Sequence, residues 1–288
     1  MSSNTNNFEQ QLHAFIKQAL AEDVGSGDIT SLACIPPEKK SKARLLAKDP
    51  GVLAGVEIAK AVFKEVDPDA SVEVFIEDGS FIHDGDIVFE VNSNTRALLQ
   101  AERLVLNIMQ RMSGIATLSN RFHFEVEDLP VTLLDTRKTT PLLRFLERKA
   151  VSIGGCQNYR SGLYDRFLIK DNHIEASGGV KAAIQQVLDY KTNKHMEDYK
   201  ITVEVRNLVE LYEVLEIGQV DRIMLDNFEL PLLKEAVAIV DGRFETEASG
   251  GVNIHTVRKV AQTGVDYVSV GALTHSATSL DLSLKIIG

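Results

Sequence analysis

Cysteine is nearly absent from this sequence: only Cys34 and Cys156 occur among 288 residues. Two cysteines cannot build a disulfide framework, and this pair lacks the close spacing of metal ligands, so we expect a reducing compartment. Basic residues are also in deficit, with 31 lysines and arginines against 41 acids and a net charge of -10. That balance argues against a nucleic-acid-binding or membrane-surface protein, because both need a basic face. Any cationic site must therefore be local.

Long apolar runs are missing as well. No run approaches the roughly 18 residues of a membrane-spanning helix. The first ten residues, MSSNTNNFEQ, contain neither the basic nor the apolar region of a secretory signal. The composition, 44% hydrophobic and 25% charged, is that of a soluble globular protein with one large or two medium domains. We expect a cytoplasmic protein.

The first hundred or so residues differ in pattern from the rest. Residues 8–23 have apolar side chains near helical spacing and predict a helix. KARLLAKDPGVLAG and SVEVFIEDGSFIHDGDIVFEV predict short strands joined by turns with glycine and aspartate. A long helical stretch follows, uninterrupted until Gly114, and it carries Arg103.

From Val131 onward, short apolar strands alternate with amphipathic segments of helix length. This alternation predicts βα units and a parallel sheet. Six strands are predicted where a closed barrel has eight, so either strands are missed or the barrel is incomplete. An open doubly wound sheet is the alternative, but no G-x-G-x-x-G follows the first strand. The six strands lie in VTLLDTRK, RFLIKDNHI, KITVEV, DRIMLDNF, RFETEASGG and DYVSVGALTH.

Nearly every predicted strand ends in a reactive side chain. Because the carboxyl ends of parallel barrel strands share one face, these side chains are expected to meet in one pocket. One charged residue at a strand end is usually a solvated cap, but five such ends in a row make coincidence a poor explanation. Structural roles are favoured only for Asp135, Asn172 and Asn227. The other polar residues at the strand ends are Arg137, Lys138, Lys170, Asp171, His173, Glu204, Asp226, Glu247 and Ser249.

Two late loops, Ser249–Gly251 and Val270–Ala272, consist of small residues. Such loops let backbone N–H groups approach an anion, and a helix expected to start near Ile254 would add its positive end. Two adjacent late loops of this kind match the usual phosphate site of barrel enzymes.

Cationic and acidic side chains have complementary uses in the expected pocket. Arginine and lysine suit an anionic substrate. Carboxylates suit sugar hydroxyls, magnesium or a developing oxocarbenium cation. The sequence therefore predicts an anionic acid and a phosphorylated sugar as substrates. The cations are Arg137, Lys138, Arg160 and Lys170, and the acids are Glu204 and Asp226.

Residues 133–174, LLDTRKTTPLLRFLERKAVSIGGCQNYRSGLYDRFLIKDNHI, resemble the quinolinate phosphoribosyltransferases, also called nicotinate-nucleotide pyrophosphorylases (carboxylating). EDVGSGDIT, ERLVLNIMQRMSGIAT, IMLDNF, EASGGV and GVDYVSVGALTHS extend the resemblance over essentially the whole chain. It implies that quinolinate and phosphoribosyl pyrophosphate give nicotinate mononucleotide, pyrophosphate and carbon dioxide, a step of de novo NAD synthesis. It also implies Mg²⁺ bound with phosphoribosyl pyrophosphate, and a homodimer or larger assembly with shared active sites.

The resemblance implies the fold and a domain division too. The family has an N-terminal α/β sandwich followed by an open α/β barrel of fewer than eight strands. We therefore expect a sandwich of residues 1–117, joined by the C-terminal segment 273–288, and a barrel of residues 118–272.

Residue roles follow from the same resemblance. Lys138, Glu204 and Asp226 are expected to be catalytic, and Arg103 to reach quinolinate from the neighbouring subunit. Glu204 and Asp226 are expected to face the ribose and the magnesium-bound pyrophosphate. The expected carboxylate-binding residues are Thr136, Arg137, Lys138, Arg160 and Lys170, and the expected 5′-phosphate cradle is Ser249, Gly250, Gly251, Val270, Gly271 and Ala272.

Two residues depart from the family pattern. Tyr159 stands where the family has the histidine of NHR, and Arg206 stands where a second acid commonly follows VEV. A tyrosine near the substrate can keep a hydrogen bond but carries no positive charge at neutral pH. We expect a change in affinity and not in reaction.

Three other functions fit parts of the sequence. A Schiff-base aldolase could use Lys138 or Lys170, but it needs a lysine in apolar surroundings, and arginines crowd this site. DGSFIHDGDIVFEV is similar to turns of biotinyl and lipoyl carrier domains but has no lysine. A phosphoribosyltransferase for another acid, like the molybdenum-transport-associated relatives of this fold, stays open.

Overall fold

The computed structural model describes residues 2–287, with side chains described from residue 7 onward. The helices are α1 (Ser2–Val24), α2 (Ile29–Cys34), α3 (Val56–Val66), α4 (Thr95–Phe124), α5 (Arg144–Ile153), α6 (Asp171–Ser177), α7 (Val180–Lys194), α8 (Leu208–Ile217), α9 (Leu230–Val240), α10 (Val257–Ala261) and α11 (Ala272–His275). The strands are β1 (Lys40–Ala47), β2 (Gly51–Val52), β3 (Ser71–Val74), β4 (Phe81–Ile82), β5 (Ile87–Asn94), β6 (Thr132–Leu134), β7 (Phe167–Ile169), β8 (Ile201–Val205), β9 (Arg222–Asp226), β10 (Glu245–Ser249), β11 (Tyr267–Ser269) and β12 (Leu282–Ile287). No helix among these residues is both long and apolar enough to cross a membrane.

The described chain divides into two compact units. The first takes in the residues up to Leu118, Pro141–Gly154 and the residues from Ala277 onward. The second consists of Ser119–Thr140 and Gly155–Ser276. The sequence-based division did not place residues 141–154 with the N-terminal part, and as a domain assignment it stays a prediction.

The first unit is built on an antiparallel sheet of four strands in the order β12-β1-β5-β3. Alternate residues of β1 are buried, which gives the sheet one apolar face. Helix α3 is amphipathic, and its buried Phe63 meets Phe89 of β5 edge to face, with ring centroids 6.0 Å apart. The predicted α/β sandwich is confirmed.

Helix α4 continues past Gly114, where the sequence suggested an interruption. A Cβ at position 114 would overlap the backbone carbonyl of Thr278. The glycine therefore permits a close approach of the C-terminal segment to the helix and does not end it.

The second unit is an open parallel barrel of six strands in the order β6-β11-β10-β9-β8-β7, as predicted. From β7 to β11, successive strands along the chain are neighbours in the sheet, so the doubly wound alternative, which reverses its strand order, is wrong. Within the described residues β6 and β7 do not pair. Only Gln157 bridges to Leu134 along the outer edge of β6.

Several predicted strands end earlier than expected. Chain 135–138 is a loop after β6, and residues 171–177 form helix α6 instead of continuing β7. The helix expected near Ile254 begins only at Val257 and has five residues. A side-chain-bonded turn precedes it, in which the N–H of His255 donates to Oδ1 of Asn253.

Candidate active site

The polar strand ends of the second unit surround one pocket of about 860 Å³. It opens where the parallel strands end, which is the face that carries active sites in barrels. Most of the residues predicted for the site line it, and Arg103 and Val270 do not. The lining is Asp135, Thr136, Arg137, Lys138, Tyr159, Arg160, Leu168, Lys170, Glu204, Met224, Asp226, Asn227, Ser249, Gly250, Gly251, Val252, Asn253, Ser269, Gly271, Ala272, His275 and Ser276.

The loop after β6 presents Arg137 and Lys138, both exposed. The backbone of Lys138 is fixed at both ends: its N–H donates to Oγ1 of Thr136 at 3.1 Å, and its carbonyl accepts from Oγ1 of Thr274 at 2.8 Å. A Cβ on Gly271 would lie 3.1 Å from Cδ of Lys138. The lysine stem therefore lies against the loop that follows β11.

Asp135 has a structural role, as expected, and one of its contacts is with the segment that carries Arg160. It is fully buried, and its Oδ1 accepts from the backbone N–H of Tyr159 at 2.7 Å. This bond fixes the segment that carries Arg160, a residue that is 9% exposed. Burial lowers the pKa of Arg160, and the nearby Arg137 adds to that effect.

The two acids lie on neighbouring strands, Glu204 on β8 and Asp226 on β9. The ammonium of Lys170 donates to Oε2 of Glu204, which is 6% exposed. Burial raises the pKa of Glu204, the Lys170 ammonium opposes the rise, and the negative charge of Asp226 adds to it. The two carboxylates are thus close enough to interact electrostatically.

Asp226 is held by Ser249, in the loop Ser249–Gly251, and by the neighbouring Asn227. Oγ of Ser249 donates to its Oδ1 at 2.7 Å, and Nδ2 of Asn227 donates to its Oδ2 at 2.6 Å. Asn227 has a φ of 56°, which supports its predicted role as a loop former. A Cβ on Gly250, whose φ is +95°, would overlap the Asn227 side chain.

The two glycine loops offer unpaired backbone donors. Within the described chain, the N–H groups of Gly250, Gly251, Gly271 and Ala272 donate to no other residue. Val270 differs, because its side chain is buried and its N–H donates to the carbonyl of Leu134 at 2.9 Å. Helix α10 has only five residues and begins at Val257, so the loop offers backbone N–H groups to an anion and not the end of a long helix.

The Tyr159 side chain points into the barrel interior. Its hydroxyl is 2.7 Å from Oγ1 of Thr202, and burial raises its pKa. The guanidinium groups of Arg166 and Arg222 lie 4.3 and 4.9 Å from its ring centroid. The ring therefore belongs to the floor of the pocket and its hydroxyl to the structure beneath.

Glu247 belongs to this interior layer and not to the pocket. It is fully buried, accepts from Nη1 of Arg222 at 3.0 Å, and accepts from Oγ of Ser269 at 2.5 Å. The expectation that Glu247 meets the other polar strand ends in the pocket was therefore wrong. A carboxylate two residues before the end of a barrel strand points inward, below the rim.

Three further polar residues singled out from the sequence are not part of the pocket lining. Nδ1 of His173 accepts from the backbone N–H of Lys170 at 3.0 Å, which caps α6. Arg206 pairs with Glu210 at 2.6 Å at the start of α8. Arg103 is exposed on α4 and lines a separate cavity of about 330 Å³ in the first unit.

His275 lines the pocket and was not predicted. A Cβ on Gly271 would lie 3.1 Å from its Nε2, so it faces the same loop as the Lys138 stem. The sequence could have indicated this, because His275 follows Gly271 by four residues and residues four apart lie on the same face of a helix such as α11.

Magnesium must be judged by its available oxygen ligands. No cluster of three or more histidine, cysteine or acidic side chains suited to a metal occurs among the described residues. Glu204 and Asp226 supply two neighbouring carboxylates. Mg²⁺ in phosphate-handling sites commonly uses one or two carboxylates together with substrate phosphates, so this pair fits an ion that arrives on a diphosphate.

Comparison with known proteins identifies the family. The family model described as "Quinolinate phosphoribosyl transferase, C-terminal domain" matches residues 115–285, and the model of the corresponding N-terminal domain matches residues 28–113. The chain is 47% identical to the chloroplastic nicotinate-nucleotide pyrophosphorylase (carboxylating) of Arabidopsis thaliana, covering 96% of this chain and 82% of that protein. A quinolinate phosphoribosyltransferase (decarboxylating) of Nicotiana tabacum is 46% identical with the same coverage.

A solved structure agrees with these relatives. The crystal structure of NadC from Streptococcus pyogenes superposes with a TM-score of 0.90 at 38% identity, covering 96% of this chain and 98% of that one. The chain belongs to the quinolinate phosphoribosyltransferase family.

Proposed function

We propose that this protein transfers the phosphoribosyl group of phosphoribosyl pyrophosphate to quinolinate and releases carbon dioxide, giving nicotinate mononucleotide for NAD synthesis. The observation that carries the proposal is one pocket with three complementary parts. Four cationic side chains line the pocket, a pair of acids lies on β8 and β9, and two loops present unpaired N–H groups. A dicarboxylic acid, a ribose and a phosphate match these parts in turn.

The cations bind quinolinate. Arg160 is buried with its charge retained, and Arg137, Lys138 and Lys170 are the more accessible cations around it. Arginine can hold a carboxylate through two parallel hydrogen bonds, and lysine adds a point charge. Two carboxylates on adjacent ring carbons need such a divided set of donors. Tyr159 forms the floor beneath them.

The glycine loops bind the 5′-phosphate of the sugar. Gly250, Gly251, Gly271 and Ala272 line the pocket, and their N–H groups donate to no other described residue. An anion there satisfies several donors at once. Ser249 takes no part as a free donor, because its hydroxyl is committed to Asp226.

Positioning and charge stabilisation carry the first step. The pyridine nitrogen attacks the anomeric carbon, and the C–O bond to pyrophosphate breaks with its electron pair leaving on the diphosphate. Positive charge develops on the ribose, where the carboxylates of Glu204 and Asp226 stabilise it. Holding both substrates in one geometry removes much of the entropic barrier.

The second step releases carbon dioxide. The bond between ring carbon 2 and its carboxylate breaks, its electron pair stays on that carbon beside the positive ring nitrogen, and the carbon then takes up a proton. The cations that held the departing carboxylate lose their partner at this point. Lys138, with three donors on a movable stem, is the residue that we assign to this carboxylate.

Magnesium, assembly and compartment are parts of the same proposal. Glu204 and Asp226 would hold Mg²⁺ together with the diphosphate, and bound there it would neutralise charge on the leaving group. We propose a homodimer in which Arg103 of one subunit completes the site of the other. We also propose a cytoplasmic location, although the Arabidopsis relative is described as chloroplastic.

The test is turnover by the purified protein. Quinolinate labelled in its 2-carboxylate is mixed with phosphoribosyl pyrophosphate and Mg²⁺, and labelled carbon dioxide and nicotinate mononucleotide are measured together. We expect equal amounts of both. Arg160→Ala should abolish them, and Lys181→Ala, which removes an exposed cation on α7 paired with Glu216, should not. Nucleotide formed without carbon dioxide, or no product from the parent protein, would refute the proposal.

A further inference from the structure

Asp165 has no assigned role, yet it lies beside the most buried cation of the pocket. Its Oδ1 is 3.9 Å from Nε of Arg160, outside hydrogen-bonding distance. Both atoms are buried, and neither has a hydrogen-bond partner among the described residues. A buried guanidinium N–H and a buried carboxylate oxygen left in this way cost free energy, so the pair is expected to close.

The other oxygen of Asp165 explains why the carboxylate points at Arg160. Oδ2 accepts from the backbone N–H of Ser161 at 2.6 Å, which anchors the carboxylate within its own loop. The carbonyl of Arg166, the next residue, accepts from Nη2 of Arg160 at 3.2 Å. Loop residues 165 and 166 therefore face the Nε–Nη2 edge of the guanidinium.

A guanidinium has two edges that can form paired hydrogen bonds. When the Nε–Nη2 edge faces the loop, the Nη1–Nη2 edge remains for a ligand carboxylate. Burial and the neighbouring Arg137 disfavour the charge of Arg160, and the negative charge of Asp165 is the leading effect that favours it. Asp165 thus supplies both an orientation and a counter-charge.

We propose that Asp165 is the positioning residue of the pocket: it orients Arg160 so that the outer edge of the guanidinium binds a carboxylate of the acid substrate. The inference rests on the proposed function. Asp165 touches neither reacting atom, so its effect should appear in the binding of quinolinate and not in the use of phosphoribosyl pyrophosphate.

The first experiment compares Asp165→Asn with Asp128→Asn. The amide oxygen of asparagine can still accept from Ser161, so the loop anchor survives while the charge facing Arg160 is lost. The control removes an aspartate that forms a two-pronged pair with Arg258 in the same unit, away from the pocket. We expect the KM for quinolinate to rise about tenfold or more in Asp165→Asn, with the KM for phosphoribosyl pyrophosphate changing less than about threefold. The control should leave both constants unchanged.

The second experiment repeats Asp165→Asn in an Arg160→Lys background. If Asp165 acts through the guanidinium of Arg160, the substitution should then raise the KM for quinolinate less than about twofold, because the effects of substituting two residues that act as a unit are not additive. An equal rise in both backgrounds would make Asp165 a general support of the loop and overturn the proposal. If Asp165→Asn does not fold, Asp165→Ser keeps an oxygen for Ser161 and carries the same expectations. A parent protein without activity overturns both proposals, whereas an active parent with an unaffected Asp165→Asn variant overturns this one alone.

Discussion

Lys170 donates a hydrogen bond from its ammonium group to Oε2 of Glu204. In the proposed function Lys170 binds quinolinate and Glu204 faces the ribose, so this contact joins the binding sites of the two substrates. The contact does not fully compensate for burial, which raises the pKa of Glu204 above its ordinary 4.5. The negative charge of Glu204 therefore lowers the stability of the fold, and in the proposed function it stabilises the positive charge that develops on the ribose.

Glu204→Gln is expected to lose about a hundredfold or more in kcat while gaining stability relative to the parent as the pH rises. A carboxyl whose pKa is raised by folding contributes its full stability below the unfolded pKa, and loses that contribution as the pH rises through the folded value. Glutamine does not titrate. The free energy of unfolding of the parent minus that of the variant should therefore decrease from about pH 4 upward.

Urea denaturation at several pH values measures this difference, and Glu210→Gln provides a control of opposite sign. The pKa of Glu210 is lowered: burial is the largest single effect and opposes the shift, but the hydrogen bonds and positive charge of Arg206, together with the hydrogen bond to Asn207, outweigh it. Its contribution is present above the unfolded pKa and lost as the pH falls. Parallel trends in the two variants would contradict the account of Glu204.

Gly250→Ala tests the loop that faces the phosphate. Gly250 has a φ of +95°, and a Cβ there would overlap the Asn227 side chain and lie 2.9 Å from its backbone nitrogen. We expect a loss of about 2–3 kcal/mol in stability and a rise in the KM for phosphoribosyl pyrophosphate. Gly242→Ala is the matched control, because Gly242 has a φ of +66° and open space around it. It should cost about 1 kcal/mol and leave the KM unchanged. Equal behaviour of the two variants in thermal unfolding and kinetics would refute the steric argument.

Tyr159→Phe separates the ring of Tyr159 from its hydroxyl. The ring keeps its contacts with the guanidinium groups of Arg166 and Arg222, while the hydroxyl near Thr202 is lost. Thr202 is fully buried, so its hydroxyl loses its partner, and we expect a loss of about 1–3 kcal/mol in stability. Activity should stay within about threefold, because the hydroxyl bonds to the interior and not to the substrate. A collapse of kcat at unchanged stability would instead give the hydroxyl a role at the substrate.

Thr202→Val should cause a similar loss of stability. The double variant should lose less stability than the sum of the losses in the two single variants.

The six strands of the barrel and its acids and cations could be predicted because the signals are local. In most of these strands apolar residues give way to a polar residue near the strand end, and parallel strands bring such ends to one face. Glu204 and Asp226 were found in this way and lie on adjacent strands. The names of the substrates came from the family resemblance, because residue types alone indicate only an acid and a phosphorylated sugar.

The rest depends on contacts that no local pattern records. Glu247 resembled a site acid until its pairing with Arg222 showed that it lies beneath the pocket. The strand expected to continue through residue 174 ends at Ile169, since His173 turns back to cap α6. The sequence pattern did not single out Asp165, because its proposed role depends on its proximity to Arg160, five residues earlier in an irregular loop.

Substrate choice follows from the number of cations. Quinolinate has two carboxylates and nicotinate has one, while the pocket is lined by Arg137, Lys138, Arg160 and Lys170. Losing one charge-assisted contact is worth roughly 1.5–3 kcal/mol, or about ten- to a hundredfold in kcat/KM. Competition between the two acids at equal concentration measures this ratio. Equal use of both acids would contradict the assignment of the cations.

Arg103 provides the test of a shared active site. It lies on α4 in the first unit and does not line the barrel pocket, yet the family resemblance assigns it to the neighbouring subunit's substrate. Arg103→Ala and Lys138→Ala should each inactivate the homodimer if that assignment is right. If Arg103 is only an exposed helix residue, Arg103→Ala alone should be nearly harmless, because isolated surface charges contribute little.

Mixing the two inactive variants then distinguishes the remaining arrangements. In a mixed dimer with shared sites, one pocket combines Lys138→Ala with the partner's Arg103→Ala and stays inactive, and the other combines intact Lys138 with intact Arg103. Random assembly from equal amounts makes about half of the dimers mixed, so about a quarter of the parent activity should return on co-expression. If Arg103 served its own subunit, every pocket would carry one lesion and no activity would return. Recovery should also depend on subunit exchange: variants purified separately and mixed without unfolding should regain activity only as fast as mixed dimers form, which native mass spectrometry can follow in the same samples.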